Sequence, residues 1–179
     1  MRLTFRSAIL GMALALVAGQ AMAQSSASLS TTGSAQIIQP ITLSKGKDLQ
    51  FGVLVRPAAG NTGGTVTINA DGSRSFGTGN SLAGLSTPAP SAATFTVGGE
   101  PSHSYKINVP ASMTMTGGAN TITVTLTAYN KNGVAITNSS GTLDTNGADN
   151  FSVGGSFALS SATPTGSYTG TFNTQVSYE

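Results

Sequence analysis

Apolar and polar positions alternate with period two along most of this chain, whereas the i, i+3, i+4 spacing of a helix is not sustained beyond the first 23 residues. Thr121–Tyr129 is the clearest run: Ile122, Val124, Leu126 and Ala128 point one way and threonines the other. Threonine is β-branched and suits the solvent face of a strand. Val66 and Ile68, then Ala93, Phe95 and Val97, then Tyr105, Ile107 and Val109 repeat the pattern. Asp71-Gly72 and Asn132-Gly133 are hairpin dipeptides, because Asp, Asn and Gly tolerate positive φ. Gly63-Gly64, Gly98-Gly99, Gly117-Gly118 and Gly154-Gly155 mark further bends, and the Pro88/Pro90 region of 81–91 reads as a surface loop. The punctuation predicts strands near 35–43, 49–55, 64–69, 73–77, 92–97, 104–109, 121–129, 133–137, 150–159 and 167–178. Many short strands separated by turns predict an all-β domain, a sandwich of two antiparallel sheets, with a closed barrel as the other arrangement.

The N-terminus follows a different rule. Arg2 and Arg6 flank an apolar run from Ala8 to Val17, and Ala21-Met22-Ala23 is a small-x-small cleavage pattern. This predicts a secretory signal peptide over 1–23, since the apolar run is shorter than the ~20 residues a membrane span needs. The mature chain, 24–179, is then expected to carry no transmembrane span. The formal charge of +2 disappears with that segment, leaving six basic and six acidic residues. A neutral surface without Lys/Arg clusters argues against a nucleic-acid partner. Gly, Ser and Thr make up 67 of the 156 remaining residues, a composition shared by disordered linkers and turn-rich β domains; the alternation decides for the latter. Residues 24–34 read as an N-terminal extension and 35–179 as one domain. No cysteine is present, so neither disulfides nor thiol chemistry contributes.

Candidate chemistry is sparse. His103 is the single imidazole, in the polar loop Glu100–Ser104, and no Gly-x-Ser-x-Gly elbow accompanies it. Asp144, Asn146 and Asp149 place oxygen ligands in a glycine-containing loop, a weak calcium candidate without EF-hand spacing. No cofactor motif occurs, and the sequence predicts a non-enzymatic protein without catalytic residues. The echo between Phe95–Gly99 and Phe151–Gly155 reads as two strands meeting the same bend requirement.

The C-terminus carries a more specific signal. Gly166 is fourteenth from the end and Tyr178 is penultimate. Between them Tyr168, Gly170, Phe172, Thr174 and Val176 share one face with Tyr178. This resembles the C-terminal signature of chaperone–usher pilus subunits. The ordered set Ala35–Ile41, Leu49–Gly52, Gly64–Val66, Phe95–Gly99, Tyr105–Pro110, Phe151–Gly155 and Gly166–Phe172 is also similar to a family of small secreted bacterial β-proteins of unassigned function, itself pilin-like.

The resemblance implies an immunoglobulin-like (pilin-like) antiparallel β-sandwich, with a strand supplied by a partner. It implies a cell-surface fibre subunit (pilus or fimbria), with a periplasmic chaperone and an outer-membrane usher as partners, self-association by donor-strand exchange and a role in adhesion. The chaperone and subunit interface would be Gly166, Tyr168, Gly170, Phe172, Thr174, Val176 and Tyr178. The candidate donor strand places Ala27, Leu29, Thr31, Gly33, Ala35 and Ile37 on one face, while the same segment also reads as a disordered tail. The protein would cross the periplasm to reach the surface. The other reading is a self-contained sandwich gripping a glycan or surface protein through Thr-rich strand faces or the Asp144–Asn150 loop. The absence of Trp and the scarcity of aromatics argue against sugar stacking.

Overall fold

The computed structural model describes residues 26–77 and 81–179; the predicted signal peptide lies outside the described residues. Contacts divide the chain into two units, Met1–Gln36 and Ile37–Glu179. In the first, residues 26–36 form no strand and are exposed, with Leu29 93% exposed.

The second unit is all-β, and every ladder in it is antiparallel. Its strands are β1 (Thr42–Lys47), β2 (Leu54–Val55), β3 (Gly64–Ile68), β4 (Arg74–Phe76), β5 (Ala83–Gly84) and β6 (Ala93–Gly98), followed by β7 (Ser104–Asn108), β8 (Ser112–Gly117), β9 (Asn120–Asn130), β10 (Ser140–Thr142), β11 (Ala148–Leu159) and β12 (Gln175–Tyr178). Among the described residues three separate sheets form, with no ladder closing the large one into a barrel. The largest has seven strands around β11, the second has the order β10-β7-β12, and the third is the ribbon β2-β5.

Strand β11 organises the large sheet. One edge pairs with β9, while the other pairs first with β6 and then with β3. The change of partner falls at Gly154-Gly155. A Cβ at Gly154 would strike the Ile68 carbonyl oxygen, and one at Gly155 would sit 2.9 Å from Val124 Cγ1. Side chains are excluded there because neighbouring strands approach too closely. The matching pair Gly98-Gly99 serves a different contact: a Cβ at Gly99 would collide with the Tyr178 hydroxyl.

The inner faces of the two larger sheets supply one apolar core. Val66, Ile68, Val97, Val124 and Val153 come from the large sheet, and Tyr105 and Ile107 from the smaller. Phe95 and Phe151 are cross-strand partners and stack 5.0 Å apart, while Phe51 meets Phe157 edge-on at 4.9 Å. Such pairs add ~0.5–1.5 kcal/mol each beyond the area they bury. Without disulfides, this packing carries the stability of the unit.

Several predicted boundaries are corrected. The first ladder begins at Thr42 rather than residue 35, because Pro40 has no N–H to give and Gln39 bonds elsewhere. Region 49–55 forms only β2 and a bridge from Gln50 to Ser91. Region 133–137 keeps one bridge, Ala135 to Tyr129, with Val134 60% exposed. The loop expected at 81–91 contains β5. The final strand expected over 167–178 is a ladder only at β12, with one bridge from Thr169 to Thr116. Strands β8 and β10 were not predicted. In β8, Met113 and Met115 alternate inward with threonines. In β10, Ser140-Gly141-Thr142 has no apolar residue and is held by β7, with Gly141 directly against the Tyr105 ring.

Candidate functional site

The C-terminal segment retains its alternation although most of its ladder is missing. Tyr168, Phe172, Val176 and Tyr178 are half-buried against the core, and Thr174 shares their side; Gly166 and Gly170 are exposed. Thr169, Thr171, Asn173, Gln175 and Ser177 are exposed. Gly170–Thr174 form no strand. β12 pairs with β7 along one side only, which leaves it an edge strand of its sheet. Thr174 Oγ1 is buried and makes no hydrogen bond. An orphaned buried hydroxyl costs about 1–3 kcal/mol, and this one lies on the core side of a segment that no ladder holds.

Tyr178 clasps the end of the edge strand to the start of the second unit. Its hydroxyl accepts from the Glu100 amide at 2.7 Å and donates to the Gln39 carbonyl at 2.8 Å. The Gln39 amide donates to Glu100 Oε2 at 3.1 Å. The penultimate aromatic is therefore a three-way tie, and Gly99 is bare so that the ring can lie there.

Beside this segment is a groove of about 810 Å³. One wall is Leu49–Leu54 and another is Thr163–Gly170; its floor includes Met113, Met115, Ile122 and Phe157. The first wall is pinned by Arg74, whose Nη1 donates to the Phe51 carbonyl at 2.7 Å and the Val53 carbonyl at 3.3 Å. Its Nη2 donates to the Leu85 carbonyl at 2.8 Å, and the guanidinium lies 5.5 Å over the Phe76 ring. Gly84 has no side chain because the Arg74 guanidinium occupies that space. Sequence reasoning missed Arg74; its place just after the Asp71-Gly72 turn, on a predicted strand, was the only local signal.

The candidate donor residues Ala27, Leu29, Thr31, Gly33, Ala35 and Ile37 are all exposed and in no strand. Ile37 is 95% exposed.

The oxygen-rich loop is turned inward on itself. Asp144 Oδ1 accepts from the amides of Asn146 at 2.8 Å and Ala148 at 2.9 Å. The Ala148 amide, then the Asn146 amide, hold this carboxyl below the usual carboxylate range. Asp149 Oδ2 instead accepts from the Tyr105 hydroxyl at 2.9 Å, and its Oδ1 from the Asn150 amide. Burial, reinforced by Asp149, holds the Tyr105 hydroxyl above the usual phenol range. Among the described residues no three His, Cys, Asp or Glu side chains gather where they could hold a metal. His103 Nδ1 sits 3.0 Å from the Pro101 carbonyl, and its ring meets Tyr178 edge-on at 6.1 Å.

A domain of unknown function, DUF4402, matches residues 41–178. This chain belongs to the DUF4402 family. The match runs from the residue before β1 to the last residue of β12, so the DUF4402 domain includes both the edge strand and the groove. No curated protein matches the chain. Among the described residues of this DUF4402 protein, no helix is long and apolar enough to cross a membrane.

Proposed function

We propose that this DUF4402 protein is a non-enzymatic subunit of a pilus-like surface fibre, built as an immunoglobulin-like sandwich and assembled by donor-strand exchange. The observation that carries the reading is the open C-terminal edge: β12 paired on one side and Gly170–Thr174 in no ladder, next to an apolar groove. An incoming strand would supply backbone hydrogen bonds to that edge and side chains to the groove. Residues 24–37 of a neighbouring subunit are the proposed donor, with Leu29 and Ile37 as its largest apolar side chains. The signal peptide, the chaperone and usher partners and the surface location belong to the same proposal; the first rests on the charged, apolar and small-residue pattern of residues 1–23, and the others on the C-terminal pattern and the resemblance built on it.

Electron microscopy of cells producing the full-length protein, compared with cells producing a form lacking Gln24–Gly33, tests it. Fibres are expected from the first and none from the second. A stable surface monomer in both would reject the proposal.

A further inference from the structure

A second concavity lies on the outer face of the large sheet, away from the acceptor groove. It measures about 950 Å³, within the roughly 300–1,000 Å³ of small-ligand sites. Its lining is dominated by amides and hydroxyls, including Asn69, Thr94, Thr96, Tyr129, Asn150 and Ser152. We propose that this groove binds a neutral oligosaccharide.

The strand register builds the floor. Thr94 on β6, Ser152 on β11 and Tyr129 on β9 are successive cross-strand partners, so they form a row at ~5 Å intervals. Thr96 pairs with Asn150 in the row beside it. Thr96 Oγ1 donates to Asn150 Oδ1 at 2.9 Å, which orients that amide. Among the described residues, no partner takes up the Asn150 NH₂ or the Tyr129 hydroxyl. Beneath them the stacked pair Phe95 and Phe151 stiffens the sheet.

Two hairpin turns wall the groove, and each is locked by its own side chain. Asp71 Oδ1 accepts from the Ser73 amide at 2.9 Å and from the Ser73 hydroxyl. Asn130 Oδ1 accepts from the amides of Asn132 and Val134 at 3.0 and 3.1 Å. The turns approach one another, since a Cβ at Gly133 would lie 3.6 Å from Ala70 Cβ. Ser152 Oγ donates to the Ala70 carbonyl at 3.1 Å, tying one wall to the floor. A site fixed in this way loses little conformational entropy on binding.

The ligand class follows from the chemistry of the lining. Fixed amides and hydroxyls match the alternating donors and acceptors of sugar hydroxyls, and the Tyr129 ring offers an apolar surface for a pyranose face. One cation, Lys131, and one anion, Asp71, stand on the rim, so no net charge selects a phosphate or a polyanion. The scarcity of aromatics noted from the sequence matters less than the position of this one. Gly154 is bare beside it: a Cβ there would lie 3.1 Å from Tyr129 Cε2.

The site is independent of the fibre proposal, and so is its test. Mature ¹⁵N-labelled protein is titrated with mannotriose, maltotriose, N-acetyllactosamine and lacto-N-tetraose, each to about 10 mM, where a site of ~1 mM Kd is nearly full. The expected result is that at least one sugar shifts the amides of Thr94, Thr96, Tyr129 and Asn150. Asn150→Ala, an exposed position, is then expected to weaken that sugar about fivefold or more while thermal unfolding is unchanged. Tyr129→Phe, which keeps the ring, gives a second reading should the first variant unfold, and is expected to weaken binding by about threefold. A panel that shifts nothing, shifts confined to other surfaces, or wild-type affinity in the folded variants would each overturn the proposal.

Discussion

Replacing Arg74 by Met removes one guanidinium that holds the Phe51 and Val53 carbonyls of the groove wall and ties them to the Leu85 carbonyl, while an unbranched apolar side chain remains. Two of the three bonds are short, at 2.7 and 2.8 Å, and carry most of the effect. With partial exposure discounted, each contributes about 1 kcal/mol, and the cation–π contact adds ~0.5–1 kcal/mol. The expected loss is therefore about 3 kcal/mol. At ~2–4 °C per kcal/mol for a domain of this size, Tm falls by about 6–12 °C. Arg74→Lys recovers roughly a third of the loss, because an ammonium is a point donor and cannot reach carbonyls on both the segment before β2 and the segment after β5. Urea denaturation of the mature protein reads these values from the midpoint at constant m. An Arg74→Met midpoint within about 0.5 kcal/mol of wild type, the range of an ordinary surface substitution, would refute the clamp.

Other consequences are open to measurement. The Ser73 hydroxyl, then its amide, hold the Asp71 carboxyl below its ordinary value, as the amides of Ala148 and Asn146 do for Asp144. A folded-state pKa below the unfolded one stabilises at higher pH and is lost as pH falls through the folded value. The urea midpoint should therefore decline below about pH 4, and Asp71→Asn with Asp144→Asn, which keeps both acceptors, should flatten the decline. Equal slopes in the two proteins would count against these turns. Gly154→Ala drives a Cβ into the Ile68 carbonyl and is expected to destabilise by about 1–3 kcal/mol. A neutral result in thermal unfolding would mean that β11 can exchange partners without close contact.

Alternation made much of the large sheet, and the central strand of the smaller one, legible. β3, β6, β7, β9 and β11 fall where Val, Ile, Phe and Tyr recur every second residue, because one buried face enforces that period. β8 was missed although Met113 and Met115 alternate cleanly, since Met has no β propensity to signal it. β10 was beyond reach: Ser140-Gly141-Thr142 extends only because β7 is there to pair with it. The reverse holds for 167–178. Its pattern is that of a continuous strand, and the sides face as predicted, but a ladder needs a neighbour as well as a pattern, and much of this segment has none. The Tyr178 tie and the Arg74 clamp depend on residues far apart in sequence, which no local pattern encodes.

The absence of native cysteines permits one direct test of fibre assembly. Leu29→Cys in the proposed donor is combined with Thr165→Cys, an exposed position on the groove rim. Donor-strand exchange between subunits would bring such pairs within the ~4.4–6.8 Å Cα separation that a disulfide spans, under the oxidising conditions of export. Non-reducing gels of cells producing the double variant should show a ladder of multimers that collapses on reduction, with each single variant reaching no further than a dimer. A double variant that stays monomeric, or merely closes on itself, contradicts assembly of this protein by exchange of its N-terminal strand.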